Sequence, residues 1–377
     1  MAVYLDHAAT TPVHPDVREA MLPFLGSEFG NPSSIHRFGR DVRSAIDEAR
    51  DAVATGLNTE AKRIVFTSGG TEADNLAVIG AAVANRDKGQ HVITTAVEHH
   101  AVLEACHYLE EIGFNLTYVP VDETGLVHVQ TIQEAITDET TLISVMFGNN
   151  EVGTVQPIAE IGRLAREHGI ILHTDAVQAF GVVPIDVSAL PVDLLSVSAH
   201  KINGPKGVGA LYVRQDVPFT PRLFGGSQER KRRPGTENVP GIVGFGKAVE
   251  IVQNELGDKS KTLFKLRQAM VDVWEASGIE FVINGNTHAC LPHILNVSFI
   301  GVDTESMLMN LDLEGVACSS GSACTAGSLE VSHVLKAMQL PEDVTASAVR
   351  FSFGLGNTVE EVQSAAETAV KIAKRLR

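Results

Sequence analysis

The chain has 377 residues, 44% hydrophobic and 20% charged, a composition that excludes a disordered or collagen-like protein and a length that predicts two domains. Its 30 lysines and arginines against 46 aspartates and glutamates leave a net charge of −16, which excludes a general nucleic-acid surface or an anionic-membrane surface. No apolar run reaches the length of a membrane span, residues 1–6 show no signal-peptide pattern, and four cysteines without a disulfide framework predict free thiols in the cytoplasm.

In chain order, Tyr4-Leu5-Asp6 reads as a short strand, followed by a small-residue turn that ends at Pro12. A loop at 30–34 precedes a helical pattern over 37–55. Strand-like runs then stand at 64–67, 92–95, 116–119, 142–147, 170–173, 194–197 and 209–213. Helical patterns fall between them, at 72–85, 99–112 and 158–168 among others. That alternation predicts an α/β fold, a mostly parallel seven-stranded sheet covered on both faces. The last run follows a tight loop, which admits an antiparallel strand. A helix over 242–255 leads to the charged stretch 256–261, read as a hinge. Beyond it, short strands at 294–299, 316–318 and 349–353 and helices near 261–277, 304–311, 329–338 and 359–377 predict a smaller α+β domain. The expected division is 13–257 as the large domain and 1–12 with 258–377 as the small one.

Candidate chemistry collects at the strand ends. Ser198-Ala199-His200-Lys201 follows a buried strand, and Gly204, Pro205 and Gly207 keep Lys201 on a loop. Open α/β sheets bind ligands there, and a shielded lysine beside other cations suits Schiff-base chemistry. Thr67-Ser68-Gly69-Gly70-Thr71-Glu72 reads as strand, glycine pair and helix start, an anion cradle in which Thr71 can cap the helix and donate. It lacks the lysine of a P-loop, which argues against a nucleoside triphosphate. Asp175 ends another strand and could hold a heteroaromatic cation or act as an N-cap. His99, in Glu98-His99-His100, could stack on a planar group, move protons or simply sit in a loop. Asn149-Asn150-Glu151 reads as a turn, and Arg230-Lys231-Arg232-Arg233 as a solvated turn or an anion- or interface-contacting run. His288, Cys290 and His293 lack a fourth partner, so no metal site is predicted. An amine, an acid, a histidine and an anion cradle at one sheet edge are what pyridoxal phosphate requires.

With these motifs in hand, the chain resembles the group I cysteine desulfurases of NifS/IscS type, class-V aminotransferase-like enzymes of PLP fold type I. The resemblance covers almost the whole chain. It implies that Lys201 carries pyridoxal 5′-phosphate as a Schiff base, that Asp175 pairs with the pyridine N–H, that Gln178 bonds the phenolic oxygen and that His99 stacks on the ring. It further implies that Gly70, Thr71, Ser198 and His200 hold the phosphate, with Thr236 added from the other subunit of a homodimer. Asn150 and Arg350 would hold the carboxylate of L-cysteine, a task that suits a guanidinium fork. Ala199 stands where many relatives have a second serine, and with the sequence stopping at Arg377 the C-terminal extension by which some relatives bind an iron–sulfur scaffold is not expected.

Residues 319–328 include nothing large and apolar, so the sequence predicts a tether there, with Cys324 as its thiol. In the resembling family this cysteine attacks the substrate sulfur, yielding L-alanine and a persulfide for an acceptor protein. The acceptor would be an iron–sulfur scaffold or a tRNA-thiolation enzyme, with no direct nucleic-acid or membrane contact. Catalysis then rests on Cys324, Lys201 and His99, with His99 the expected route for the thiol's proton. Cys318 is expected to pack on a strand. Two alternatives stand beside this one. A selenocysteine/cystine lyase or aminotransferase would need no such loop, and a non-catalytic sulfur carrier would need no intact Lys201, Asp175 and His99.

Overall fold

The computed structural model describes residues 2–321 and 331–377. The chain opens with β1 (Val3–Tyr4), α1 (Pro15–Met21) and α2 (Arg37–Gly56). It then alternates through β2 (Ile64–Thr67), α3 (Gly70–Ala84), β3 (His91–Thr95), α4 (His100–Glu111), β4 (Asn115–Val119), α5 (Val129–Ala135), β5 (Thr140–Ser144), α6 (Ile158–Glu167) and β6 (Ile171–Asp175). Next come β7 (Leu194–Ser198), β8 (Gly209–Val213) and the long α7 (Val239–Ser277). The remainder is β9 (Val282–Asn284), β10 (Ile294–Ser298), α8 (Thr304–Leu313), β11 (Val316–Ala317), α9 (His333–Ala337), α10 (Glu342–Thr345), β12 (Ala348–Ser352) and α11 (Val359–Leu376).

Seven strands form the main sheet in the order β2-β8-β7-β6-β5-β3-β4. The pairs from β7 through β4 are parallel, while β8 runs antiparallel to both of its neighbours. Every residue of β2, β3, β5, β7 and β8 is buried, as continuous apolar runs require when helices cover both faces. Beyond the end of β5 the chain stays bonded to β6, Val145 N–H donating to His173 O at 3.1 Å and Phe147 N–H to Asp175 O at 2.8 Å. The functional residues therefore leave adjacent strands in fixed register.

A smaller antiparallel sheet, β12-β10-β9, lies beside the pair β1-β11. Its core centres on Trp274 of α7, whose ring meets Phe281, Phe299 and Phe351 at centroid separations of 5.7, 5.2 and 5.5 Å. The Trp274 indole N–H donates to Ala366 O at 3.2 Å, which satisfies its one polar atom.

The expected hinge at 256–261 is instead the middle of α7, which runs unbroken from Val239 to Ser277. Nothing lies within 4 Å of a Cβ built on Gly257, and the stretch holds no proline. Lys261 and Asp258 pair one turn apart at 3.4 Å, and the Thr262 hydroxyl donates to Asp258 O at 2.9 Å, so charge alone does not break the helix. We propose that the two domains divide within this helix, 13–257 against 1–12 with 258–377; the pairing of β1 with β11 supports grouping the N-terminus with the small domain. No helix among the described residues is long and apolar enough to cross a membrane.

Candidate active site

At the C-terminal edge of the main sheet a cavity of about 340 Å³ is lined by residues from β6, β7, α3, the cap of α4, the N-terminal turn and β12. Parallel strands converge their carboxyl ends here, and α3 points its N-terminus at the same space. Gly70, Thr71, His99, Asn150, Asp175, Gln178, Ser198, His200, Lys201 and Arg350 all line it, so ten residues singled out in the sequence meet in one place.

β7 ends in a single tight turn, Ala199–Lys201. A Cβ on Gly204 would stand 2.8 Å from Ala199 O, so the chain can fold back only with glycine there. The turn is tied to the N-terminal segment, the Thr11 hydroxyl donating to His200 O at 2.8 Å and Asn203 N–H to Thr11 Oγ1 at 2.9 Å. Lys201 Nζ donates to Ala8 O and, at 2.8 Å, to Ala9 O. His200 Nδ1 lies 3.1 Å from the Thr10 hydroxyl, and burial followed by the Lys201 charge pushes this imidazole down to about 4. At neutral pH His200 is therefore a neutral hydrogen-bonding group.

The anion cradle differs from expectation in one respect. Gly69, not Thr71, is the N-cap of α3, and no side chain caps it, so Thr71 is left exposed within the first turn. A Cβ on Gly70 would meet Val177 Cγ2 at 2.8 Å, so only glycine lets this helix end come so close to the strand loop. Beside it Ser198 Oγ is buried without a hydrogen-bond partner among the described residues. A buried hydroxyl lacking a partner next to an uncapped helix N-terminus is the donor set a phosphate fills.

Asp175 ends β6 and is buried, its Oδ1 accepting from Val177 N–H at 2.9 Å. Burial raises its pKa, while His99, that hydrogen bond and Lys201 oppose the rise. A cation placed against this carboxylate would favour its ionised form, so the arrangement fits a protonated ring nitrogen. Gln178 is held at both ends, its Nε2 donating to Ala8 O at 2.9 Å and its Oε1 lying 3.2 Å from His293 Nε2. His99 is the N-cap of α4, its Nδ1 accepting from Ala101 N–H at 3.0 Å. That bond places the neutral ring's proton on Nε2, and burial lowers the ring's pKa. As it stands, His99 offers a donor. To take a proton from a thiol at Nε2 it must first release the Ala101 N–H.

Arg350, on β12, donates from Nη1 to Asn150 O and from Nη2 to Asp6 Oδ1, each at 2.8 Å. Its Nε is buried without a partner among the described residues. Ser319 and Arg350 exchange backbone hydrogen bonds at 3.1 and 2.6 Å, which brings Gly321 to the wall of the cavity. Cys324 lies outside the described residues. Cys318 is partly buried against the core, and burial raises its thiol pKa. Thr236 is exposed and lines a different depression, with Phe66, Thr67 and Gly235, so within one chain it does not join the cavity.

The basic run folds back on the large domain. Arg233 pairs with Glu72 at 2.8 Å, and Arg232 lies 5.4 Å from the Phe219 ring centroid. Cys290 accepts from Arg267 Nη1 at 2.7 Å, and His293 faces Gln178, so both serve packing and positioning.

Three buried groups in and around the cavity, Asp74 in its wall, were given no role by the sequence reading. Glu98 accepts from the Thr95 hydroxyl at 2.6 Å and Met146 N–H at 2.9 Å, and burial raises it to about 8. Asp74 lies 3.6 Å from His173 Nε2; burial holds that imidazole near about 3, so the contact is not an ion pair. Burial, with Asp175 next in weight, raises Asp74 well above the usual carboxylate range. Asp74 shares a helix face with Gly70, Ala77, Val78 and Ala81, and an acid on an otherwise small, apolar face is the signal that could have exposed it.

Comparison with known proteins agrees with this geometry. Residues 3–364 match the aminotransferase class-V family, and the chain belongs to it. Class-V aminotransferases are pyridoxal-phosphate enzymes, and the unpartnered Ser198 hydroxyl, the uncapped α3 and the Asp175–Lys201 pair fit that group. Within the family, the cysteine desulfurase IscS of Methanosarcina thermophila is 50% identical over 380 residues, covering 100% of this chain and 93% of its own. That of Dictyoglomus turgidum is 49% identical over 375 residues, covering 100% and 95%. Among solved structures, a NifS-like protein superposes with a TM-score of 0.94 at 37% identity over 100% of both chains. SspA in complex with cysteine gives 0.83 at 38% identity, over 93% of this chain and 98% of its own.

Proposed function

We propose that the chain is a pyridoxal-phosphate-dependent cysteine desulfurase that converts L-cysteine to L-alanine and leaves the sulfur as a persulfide on Cys324. The observation that carries this reading is that Gly321, three residues before Cys324, lines the same cavity as Lys201 and Arg350. Three residues of chain reach at most about 11 Å, enough to bring a thiol into that space. When bound, pyridoxal phosphate supplies an aldehyde that couples to amines and an electron sink for the bonds around the substrate's Cα.

Lys201 is the amine that would hold the cofactor, its Nζ fixed by the Ala8 and Ala9 carbonyls. Gly70, Thr71, Ser198 and His200 would hold its phosphate, Asp175 would pair with its ring nitrogen, Gln178 would bond its phenolic oxygen, and His99 would pack on the ring; all of them line the one cavity. Arg350 and Asn150 would take the substrate carboxylate: two of the five guanidinium N–H donors go to Asn150 O and Asp6 Oδ1, and the other three, that on Nε among them, are left for it. Cys324 attacks the substrate sulfur as a thiolate. The substrate Cβ–Sγ bond breaks as the new S–S bond forms, and Cβ gains a proton. The net change is cysteine plus enzyme thiol to alanine plus enzyme persulfide.

The reading extends to a cytoplasmic homodimer that passes sulfur to an iron–sulfur scaffold or a tRNA-thiolation enzyme. Exposed Leu25, Phe29, Ile35, Phe38 and Phe224 support an apolar contact surface, across which Thr236 would complete the phosphate site. Light scattering should show a dimer, and a fully active monomer would count against it. The assay of function is alanine and sulfide release from L-cysteine under reductant. Wild type should yield both in equal amounts and Lys201→Ala neither; a wild type that binds the cofactor yet yields neither contradicts the proposal.

A further inference from the structure

A second cavity, of about 300 Å³, lies between α7 and the turn at 354–357 and shares no lining residue with the first. Ile202, Val252, Leu263 and Leu266, all nearly inaccessible to solvent, form its apolar wall. Lys259 of α7 is the one ammonium or guanidinium among the described lining residues. No acceptor among the described residues hydrogen-bonds or ion-pairs with its Nζ. The acids of the rim act on it only at a distance, without an ion pair. Glu255, one turn earlier, is exposed and makes no ion pair with Lys259, and Asp258 is exposed and paired with Lys261 at 3.4 Å.

Burial lowers Lys259 to about 8, with Glu255 acting in the opposite direction, so the group is still mainly an ammonium at neutral pH. Its field reaches His7 and His293, which burial first and Lys259 second press down to about 4 and about 3. Both rings are neutral, so neither adds charge to the cavity. His14, at the rim, is engaged by Asp16 N–H at 3.1 Å. A cation held against apolar walls without a counter-ion is costly, and an anion that also covers the walls relieves it.

We propose that this cavity is a binding site for a small monocarboxylate with an apolar body, the carboxylate on Lys259 and the body on Ile202, Val252, Leu263 and Leu266. The lone cation suits a single negative charge rather than a phosphate dianion, which calls for several donors. The volume stands at the small end of ligand sites, enough for a few carbon atoms.

The test uses the full chain loaded with pyridoxal phosphate and isovalerate as the probe. Brief acetylation at neutral pH followed by peptide mass spectrometry reads Lys259 and, as an exposed control on the same helix, Lys261. At about ten times its dissociation constant, isovalerate should lower labelling of Lys259 about tenfold and leave Lys261 unchanged. Isovaleramide and inorganic phosphate should not protect. Equal labelling with and without isovalerate overturns the proposal, as does equal protection by isovaleramide. A Lys259 that reacts only after unfolding also overturns it. Isothermal titration separates this site from the cavity at Arg350: Arg350→Leu should retain isovalerate binding and Lys259→Met should lose it. The reverse pattern contradicts the assignment.

Discussion

Replacing Arg350 by leucine removes a guanidinium that two parts of the chain hold in place. The side chain is 3% exposed, and its partners Asn150 O and Asp6 Oδ1 both lie at 2.8 Å. A charged hydrogen bond contributes about 1.5–3 kcal/mol, so losing two to a substrate carboxylate removes about 3–6 kcal/mol. At about 1.36 kcal/mol per factor of ten, kcat/KM for L-cysteine should fall about 10² to 10⁴-fold. Leucine also strands Asp6, which is about one-fifth exposed and partly rehydrates, so the fold should lose less than the about 3–5 kcal/mol of a fully buried broken pair. Cysteamine, which is cysteine without its carboxylate, separates binding from general damage. Wild type should strongly prefer cysteine to cysteamine, and Arg350→Leu should lose that preference while keeping its low cysteamine rate. If cysteine turnover stays within about threefold of wild type, or both substrates fall by the same factor, Arg350 does not bind the carboxylate.

Ser198→Ala removes the unpartnered hydroxyl beside α3. The variant should fold with unchanged stability and lose pyridoxal phosphate faster on dialysis; undiminished retention would remove Ser198 from the phosphate site. Glu98→Gln tests the buried acid. The folded pKa of Glu98, about 8, lies above its ordinary value, so the wild type loses stability from this group as pH rises from about 4.5 to 8. Glutamine mimics the protonated acid, and the variant's melting temperature should fall less over that window. Parallel pH profiles for the two proteins would show that Glu98 is ionised in the fold.

The positions of the large-domain strands and the mostly parallel character of their sheet were legible because strands alternate with helical patterns, whereas the order of strands in the sheet was not. The run at 64–67 is β2 residue for residue, and 209–213 is β8, antiparallel as its tight loop allowed. The hinge misread α7 because exposed charges resemble a linker in sequence, while helix pairs such as Lys261 with Asp258 depend on conformation. Lys201, Asp175, His99, Gly70 and Thr71 were found from motifs at strand ends, and Gln178, Ser198, His200, Asn150 and Arg350 from the family resemblance, but their partners were not. That Lys201 faces the Ala8 and Ala9 carbonyls, or Arg350 faces Asp6, depends on contacts between residues more than 190 apart in sequence. Thr71 was read as a cap because threonine caps well, yet the helix starts at Gly70 with Gly69 as its cap, and the close approach of Gly70 to Val177 is a tertiary contact that the sequence does not show. The backbone bond to His99 Nδ1, which makes this histidine a donor, is likewise invisible in sequence.

The central claim is that sulfur leaves the substrate for Cys324 and not for Cys318, whose thiol is partly buried at the end of β11 and held protonated by that burial. A single turnover with L-cysteine in the absence of reductant, followed by peptide mass spectrometry, tests it most directly. The account predicts one added sulfur atom on the peptide bearing Cys324, with one alanine formed per active site. Cys318→Ala should give the same result, and Cys324→Ala should bind the cofactor yet form almost no alanine. An added sulfur on Cys318, or full alanine formation by Cys324→Ala, would contradict the account.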